Sequence, residues 1–386
     1  MLVKVRALAA GFVVAITLSA CNDTHNSPPV QSGTATASAS PSPSSAASQP
    51  PATALIPPRG PIFDVTAYGA RGDGSTDNTN AFAQAIAAAQ NVSGGGTVRI
   101  PAGHFLFTQK QTPRPASVVV EGSTPIVVIG AGRDQTTLVE SNKDKGLLSV
   151  RVDGTVVEAL TLDTQSNDGG AAIFVVANHT TLLSARVLGG AHHFALYYAG
   201  PQGAKPDAPQ YNSGNTVRDL DLNDLLCDDG FSWSFQQDSS ITGVTHTGSR
   251  LALYIVRSTQ VTDYTYTPGP QQCGARNAFW ITPPSSNITI DGFTSSGEGG
   301  KVAVIASGAA GRVGSDITIR NERMTGSGTT LAVGDVTNLV LENCDLGGNN
   351  IVVRPQQVAR MRVVGSRYGS IRRNPAAGAQ VDVATS

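Results

Sequence analysis

The sequence predicts an all-β fold in which the chain winds into stacked coils of parallel strands, with a helix at one end. Short apolar strands and polar turns recur through residues 117–368. The chain also contains 42 glycines, which suits a fold with many turns. A segment with the apolar spacing of a helix precedes the repeats. Repeats of this kind bury their apolar faces against their neighbours, so they predict one elongated stack.

Length and charge narrow the possible functions. The 386 residues are enough for one large elongated domain or two small ones. The net charge is −1 and aromatic residues make up 5% of the chain, so nothing in the composition favours nucleic-acid binding.

The first residues have the pattern of an export signal. Lys4 and Arg6 precede an apolar run from Leu8 to Leu18, which is too short to span a bilayer comfortably. The following Leu-Ser-Ala-Cys resembles a bacterial lipobox, which implies cleavage after residue 20 and lipidation of Cys21. The alternative is an ordinary secreted protein in which Cys21 is incidental. Because Asn22 is not the aspartate of an inner-membrane retention signal, the lipoprotein interpretation favours the outer membrane of the cell envelope.

Residues 21–60 are rich in Pro, Ser, Ala and Thr and contain almost no large apolar side chains. Such a segment buries too little surface to offset the entropy of ordering, so it predicts a disordered tether. Cys227, Cys273 and Cys344 follow in the folded region. An exported protein can oxidise its thiols, so Cys227 and Cys273 either form a disulfide or remain free. The cysteine spacing shows no metal-binding motif.

Residues 63–107 predict a strand, a turn, a helix, a second turn and a strand. Phe63 and Val65 alternate with polar residues, as in a half-buried strand. The glycines at 69, 72 and 74 allow a tight turn. Either Asp77 or Thr79 can cap the helix that follows. The apolar residues of that helix share one face, at positions i, i+3, i+4 and i+7: Phe82, Ala85, Ile86 and Ala89.

The repeats can be aligned on the second strand of each coil. The aligned residues are Leu182, Val217, Ile241, Val261, Ile288, Ile317, Leu339 and Met361. The first interval is the longest because it contains an insertion, Ala199 to Gly214. This insertion is too long for a plain turn. It predicts either a lid over the neighbouring face or a surface loop with no role.

Polar residues precede the first strand of successive coils in a shared register. A solvated turn needs only Gly, Asn and Ser, whereas these positions hold carboxylates, histidines and cations. The residues are Asp168, His192 and His193, Asp228 and Asp229, Ser249 and Arg250, Arg276 and Asn277, and Gly300 and Lys301. Equivalent positions in parallel coils lie about 4.8 Å apart, so these side chains are expected to line one groove.

Aromatic residues occupy outward positions of the same strands. Tyr197, Tyr254 and Trp280 are therefore candidates for stacking on sugar rings, although aromatic residues are also common strand formers. Asp228 and Asp229 are either catalytic or part of a local turn, and Arg250 and Arg276 either bind substrate or pair with the aspartates. We interpret His104, His179 and His246 as structural or solvated.

The segment 63–107 closely resembles the N-terminal cap of the pectate-lyase-like superfamily. The similar stretches are Tyr68-Gly69-Ala70, Gly72-Asp73-Gly74, and the run from Gly94 to Gly103. The resemblance implies a single-stranded right-handed parallel β-helix with an N-terminal α-helical cap, over residues 61–386, with coils at about 117–368. The superfamily includes lyases, hydrolases, epimerases and phage tailspikes, so the cap implies the fold and leaves the reaction open.

Two subfamilies of this superfamily have motifs that resemble the polar segments of this chain. Asp229-Gly230-Phe231 and the run from Arg250 to Thr259 resemble motifs of alginate C5-epimerases, which implies an active-site role for Asp229. The stretch from His193 to Tyr197 departs from that family's first motif, Y-G-F-D-P-H. Polygalacturonases have a similar D-D pair, yet the flanking signatures N-T-D and G-H-G are replaced here by His192-His193 and Ser249-Arg250.

These features predict an enzyme that removes the C5 proton of a uronate polymer, as a lyase or a C5-epimerase. The reaction needs a cation at the C6 carboxylate, a base and an acid. Asp229 with His193 or Tyr197 would supply the acid and base, and Asp228 would orient its neighbours. Arg250 would bind the carboxylate. The other substrate contacts would come from His192, Tyr254, Arg276, Trp280 and Lys301.

Two alternatives remain open. The first is a glycoside hydrolase that uses Asp228 and Asp229, and the second is a non-catalytic, surface-anchored glycan-binding protein. The expected partner is an acidic polysaccharide, with membrane contact only through the lipid anchor. No cofactor motif is evident, although Ca²⁺ is compatible with carboxylates in such a groove.

Overall fold

In the computed structural model the chain forms a right-handed parallel β-helix capped by a helix. The structure describes residues 55–108, 116–142, 146–164, 170–189, 194–224, 229–269, 278–296, 303–305, 312–325, 330–353, 360–373 and 380–383. Their strands form two parallel sheets, and each complete turn of the chain adds one strand to the smaller sheet and either one long strand or two short strands to the larger one.

Sheet 1 contains eleven of the described strands. They are Ala116–Val120, Gly146–Val150, Ile173–Val175, Leu196–Tyr198, Phe231–Ser234, Leu251–Tyr254, Phe279–Thr282, Ala303–Ile305, Thr330–Val333, Asn350–Val353 and Ile371–Arg373.

Sheet 2 contains twenty described strands and folds around the other sides of the coils. They are Ile62–Asp64, Asp73–Asp77, Thr97–Ile100, Gly103–Phe107, Val127–Gly130, Thr136–Glu140, Val156–Glu158, Thr161–Asp163, Thr181–Leu188, Asn212–Ser213, Thr216–Asn223, Gln236–Gly248, Arg257–Pro268, Ser286–Asp291, Thr294–Ser296, Ser315–Arg320, Arg323–Thr325, Leu339–Glu342, Arg360–Val364 and Gln380–Val383.

A row of residues with positive φ divides sheet 2 into two faces. One such residue occupies the equivalent bend of successive coils: Ala159, Ser184, Asp219, Gly243, Asp263, Gly292, Asn321, Asn343 and Gly365. Gly, Asn and Asp adopt this left-handed conformation most readily, which explains why the sequence places them there. The bend turns the chain by the same amount in each coil and so keeps the coils in register.

The sequence-derived alignment of the coils agrees with the strand register except at one step. Leu182 pairs with Val217, and the next two steps follow as expected. Val261, however, pairs with Ile290, while Ile288 pairs with Thr259. Side chains two apart in a strand share a face, so an apolar pattern alone cannot exclude a slip of two residues.

The cap closes the N-terminal end of the stack. Helix α1, Thr79–Gln90, buries Phe82, whose ring lies edge-on 4.9 Å from Phe107 between centroids. The N-cap of the helix is Asn78, whose side chain makes no capping hydrogen bond, so the expectation that Asp77 or Thr79 caps the helix was wrong. Asp77, one residue earlier, accepts a hydrogen bond from the Thr79 amide. Two further details differ from prediction. Val65 begins a short 3-10 helix, and the expected turn after residue 72 includes the strand Asp73–Asp77.

Residues 55–60 are bound to sheet 2, although the sequence assigned them to the tether. The Ile56 amide donates to Glu158 Oε2 at 2.9 Å. The Arg59 amide donates to Thr97 Oγ1, and that hydroxyl donates back to the Arg59 carbonyl, both at 2.8 Å. The ordered domain therefore begins several residues before its first strand. Among the described helices, none has the length and apolar character needed to cross a bilayer.

Cys344 is buried and carries a free thiol. Cys21, Cys227 and Cys273 lie outside the described residues, so the disulfide between Cys227 and Cys273 stays a prediction.

A buried glutamate lies near the Cys344 thiol. Glu322 is 1% exposed, and neither carboxylate oxygen has a hydrogen-bond partner among the described residues. Burial raises the pKa of Glu322 to about 8. The native state therefore holds this side chain in its protonated form at neutral pH.

Glu322→Gln is expected to make the protein less sensitive to rising pH. Between about pH 5 and pH 8 the wild-type glutamate releases its proton on unfolding, so its contribution to stability falls as pH rises and levels off once the native group ionises. Glu322→Gln lacks this pH-dependent loss of stability, which amounts to about 1.4 kcal/mol per pH unit at most. Urea unfolding at a series of pH values measures the free energy of unfolding of each protein. Glu342→Gln, at a half-buried position of the next coil, serves as the control, and equal slopes in all three proteins would contradict the prediction.

Candidate active site

Five of the predicted site residues lie within the described part of the chain: Tyr197, Asp229, Arg250, Tyr254 and Trp280. All five belong to sheet 1 or to the turns that lead into it. The other predicted groove residues lie outside the described residues: His192, His193, Asp228, Arg276 and Lys301. The same holds for Asp168, Asn277 and Gly300 of the polar turns, whereas Ser249 of those turns is described.

The outer face of sheet 1 has a row with large residues at its ends and small ones between. Tyr197 is paired with Ser232, which is paired with Ala252, and Ala252 is paired with Trp280. Ser232 and Ala252 provide the small side chains between the two rings and are called the small floor of this row. Three strand steps separate Tyr197 from Trp280, or about 14 Å. The two rings thus face each other across a shallow groove. Tyr254 lies in the next outward row, paired with Ser234.

Asp229, Arg250 and Trp280 form one connected group at the end of sheet 1 where its strands begin. Arg250 donates from Nε to Asp229 Oδ1 in an ion pair whose side chains are 12% and 25% exposed, respectively. The Arg250 guanidinium lies over the Trp280 ring, with Cζ 4.5 Å from its centroid. A stacked, paired guanidinium is held in one orientation, so its remaining donors have a fixed direction.

The Tyr197 phenol lies within electrostatic reach of this group and hydrogen-bonds with Ser234. Burial raises the pKa of Tyr197 above its ordinary value, and the nearby Tyr254 and Asp229 raise it further. At neutral pH the phenol therefore keeps its proton and can act as a proton donor.

The insertion Ala199–Gly214 runs along the opposite edge of sheet 1, where the strands end. Asp207 forms an ion pair with Arg312 at 2.6 Å, although Arg312 belongs to a coil four steps further along the stack. Tyr211 packs under Arg257, with Cζ 4.8 Å from the ring centroid. The insertion therefore acts as a strap across several coils and forms a wall beside Tyr254. The segment lies at the edge of the groove, and a role as a lid stays a prediction.

A fully buried polar network lies beneath the turns that carry Asp229 and Arg250. Asp224 Oδ1 accepts a hydrogen bond from the Ser249 amide at 2.9 Å, and Asp224 Oδ2 lies 2.6 Å from His246 Nε2. His246 Nδ1 lies 2.6 Å from the Tyr264 hydroxyl. Burial raises the pKa of Tyr264 well above its usual range, so Tyr264 donates to Nδ1 and Nε2–H donates to Asp224.

This network explains why glycines flank the site turns. A Cβ atom on Gly230 would overlap the Asp224 carboxylate, and so would one on Gly248. Ser249 connects the two turns, because its hydroxyl accepts the Gly230 amide at 2.6 Å. Asp224 thus packs against the backbone just after Asp229 and just before Arg250.

Sequence reasoning missed Asp224, and it treated His246 only as structural or solvated. His246 is fully buried, so its role is structural. A signal for the network was present in Gly230 and Gly248, since a glycine beside each of two polar turns indicates that something bulky packs against both. Within the described ranges, no three His, Cys, Asp or Glu side chains lie close enough together to hold a metal ion.

Residues 62–267 match the family described as rhamnogalacturonase A/epimerase, pectate lyase-like. The chain belongs to this family. The pectate lyase-like match includes Tyr197, Asp229, Arg250 and Tyr254, and it ends before Trp280.

Several relatives share parts of this pectate lyase-like chain. It is 33% identical over 145 residues to mannuronan C5-epimerase AlgE3 of Azotobacter vinelandii, which is 38% of this chain and 7% of that protein. It is 34% identical over 83 residues to alginate lyase 7 of the same organism, covering 22% of this chain and 10% of that protein. The chain thus spans a tenth or less of the length of these relatives.

A solved structure supports the fold over most of the chain. The A-module of mannuronan C-5 epimerase AlgE4 of Azotobacter vinelandii superposes with a TM-score of 0.51 at 18% identity. The superposition covers 83% of this chain and 95% of that module. At this identity the likeness establishes the shared β-helix architecture.

Asp224→Asn is expected to unfold at a lower denaturant concentration and to disturb the stack of Arg250 on Trp280. An amide cannot accept from Ser249 and His246 as the carboxylate does, and leaving a buried donor unpaired costs about 1–3 kcal/mol. The indole ¹H–¹⁵N signal of Trp280, assigned with Trp280→Phe, reports the stack.

The matched control for Asp224→Asn is Asn215→Ala. Asn215 is equally buried and hydrogen-bonded, but it lies at the opposite edge of sheet 1. It should lower stability while leaving the Trp280 signal in place. If Asp224→Asn also leaves that signal in place, the network does not position the site.

Proposed function

We propose that the protein acts on a uronate polymer by removing the C5 proton of a sugar residue, as a lyase or a C5-epimerase. The observation that carries this proposal is the connected group of Asp229, Arg250 and Trp280, with the Tyr197 phenol nearby. It brings a carboxylate, a fixed cation, an aromatic face and a proton donor to one groove.

Arg250 is the group proposed to bind the C6 carboxylate of the sugar. A guanidinium has five N–H donors, and the pair with Asp229 uses Nε. Neutralising the C6 carboxylate makes the C5 proton more acidic, because the negative charge that develops after its removal is stabilised. The Trp280 ring holds the guanidinium in place and borders the groove beside the bound sugar.

Asp229 and Tyr197 are the described candidates for proton transfer. In the proposed reaction, Asp229 or His193 accepts the C5 proton and Tyr197 donates one. In elimination, the C4–O4 bond breaks, a C4–C5 double bond forms, and the phenol proton goes to the leaving O4. In epimerisation, the C5–H bond breaks, the glycosidic bond stays intact, and a proton returns to C5 from the opposite face.

The relatives suggest the first substrate to test. Mannuronan C5-epimerase and alginate lyase are named for a uronate polymer, and both chemistries begin at C5. The hydrolase alternative needs two carboxylates that face the substrate. Asp224 does not supply the second one, because it is fully buried and hydrogen-bonded to His246 and Ser249. Asp228, the other aspartate of that alternative, lies outside the described residues.

Asp229→Asn is expected to lower turnover at least about 10²-fold, the usual effect of losing a general acid or base. The purified protein would be tested on alginate, polygalacturonate and bacterial exopolysaccharides. Ultraviolet absorbance detects unsaturated ends, a reducing-end assay detects hydrolysis, and NMR detects proton exchange at C5. Asp238→Asn is the matched control, because Asp238 is exposed on the same coil with a positive φ that asparagine tolerates.

Each readout separates one alternative. Unsaturated ends identify a lyase, and C5 exchange without cleavage identifies an epimerase. Reducing ends without unsaturation would replace the proposal with the hydrolase. Binding without turnover on the whole panel would replace it with the glycan-binding protein.

We also propose that Cys21 is lipidated and that the tether holds the domain at the cell envelope, with the outer membrane preferred. Radiolabelled palmitate should be incorporated into the wild-type protein and not into Cys21→Ser, and the variant should leave the membrane fraction. Label in the variant, or wild-type protein in the soluble fraction alone, would refute the anchor. Density-gradient separation of the two membranes tests the outer-membrane assignment.

A further inference from the structure

A second arginine is stacked on an aromatic ring of sheet 1, away from the candidate catalytic group. Arg151 follows the strand Gly146–Val150, and its Cζ lies 5.4 Å from the centroid of the Phe174 ring. Phe174 occupies the outward position of the strand Ile173–Val175 and is half-buried. Neither residue belongs to the polar turns that the sequence singled out.

Phe174 extends the row that contains Tyr197 and Trp280. It pairs with Tyr197 in the next coil, so the row runs from Phe174 through Tyr197, Ser232 and Ala252 to Trp280. Four strand steps separate its two ends, or about 19 Å. An arginine stacked on an aromatic ring therefore lies at each end of the row, Arg250 just before its strand of sheet 1 and Arg151 just after its own.

The Phe174 end of the row is an aromatic platform. The Phe174 and Tyr197 rings meet edge to face with centroids 5.4 Å apart, and Phe194 lies 4.5 Å from Tyr197. Aromatic faces suit the apolar faces of sugar rings, while a stacked guanidinium presents its N–H donors in a fixed plane that matches a carboxylate.

We propose that Arg151 and Phe174 form a second uronate-binding subsite, which holds the polymer about four strand steps from Arg250. A uronate polymer repeats the same two features, a ring and a carboxylate, in every residue. A groove that repeats an aromatic face and a guanidinium matches that ligand better than it matches a neutral glycan or a single small acid. This inference rests on the proposed function for the choice of a uronate polymer.

The subsite predicts that the contribution of Arg151 to binding depends on the length of the ligand. Only an oligomer long enough to reach from Arg250 to Arg151 gains from both guanidinium groups, whereas a disaccharide at the candidate catalytic group does not. If Arg151 only shielded the Phe174 ring, its loss would affect stability and would act equally on ligands of every length.

Binding would be measured by calorimetry with uronate oligomers of increasing length, in the Asp229→Asn background so that the ligands stay intact. Arg151→Gln is expected to weaken binding of the long oligomers about tenfold and to leave the disaccharide unchanged. Phe174→Ala should have the same length dependence. Arg186→Gln is the matched control, because Arg186 is half-buried and ion-paired on sheet 2, so its loss changes the net charge equally without touching the groove.

The subsite would be overturned if Arg151→Gln weakened the binding of oligomers of every length equally. It would also be overturned if Arg151→Gln weakened binding no more than Arg186→Gln does. The subsite and the proposed reaction fail separately. Turnover that depends on Asp229 but keeps the same length dependence in Arg151→Gln would remove the subsite alone. Length-dependent binding that requires Arg151, with no turnover of any uronate polymer, would keep the subsite and remove the reaction.

Discussion

The parallel hydrogen bonding between coils is the constraint on which the rest of the structure depends. Each strand pairs with its equivalent one coil away, so a residue's position along its own coil decides which residues of other coils it meets. The left-handed bend residues keep that position constant from coil to coil. As a result, Tyr197 and Trp280, 83 residues apart in the sequence, share one row on the surface.

Asp229 and Arg250 show how this constraint builds a site. They belong to adjacent coils and meet because both lie just before a strand of sheet 1. The short distance between neighbouring coils would not by itself stop either side chain from turning toward solvent. The stack on Trp280 and the buried Asp224 carboxylate beneath the turns limit that freedom from opposite sides. Arg250 therefore has a structural partner in Asp229 and a direction set by Trp280, which are the conditions for a preorganised cation.

The sequence predicted the features that follow from periodicity or from local chemistry. The cap helix, the stacked coils and the outward aromatics came from apolar spacing, and Asp229 with Arg250 came from their shared register. It was harder to predict which residue of a polar turn is buried. Glu322 and Asp224 each lie in polar stretches, and nothing in such a stretch says which side chain points into the core. The pairing of Val261 with Ile290 was missed because a slip of two residues leaves the apolar pattern unchanged.

The helical cap has a consequence for contacts between neighbouring molecules. A stack of parallel strands ends in an open row of backbone donors and acceptors, which can recruit a strand from another molecule and begin a fibre. Helix α1 contacts the first strands of both sheets and buries Phe82, Ala85 and Ile86 in the core at that end. Helix α1 therefore covers the N-terminal end of the stack, where addition of a strand from another molecule would otherwise begin.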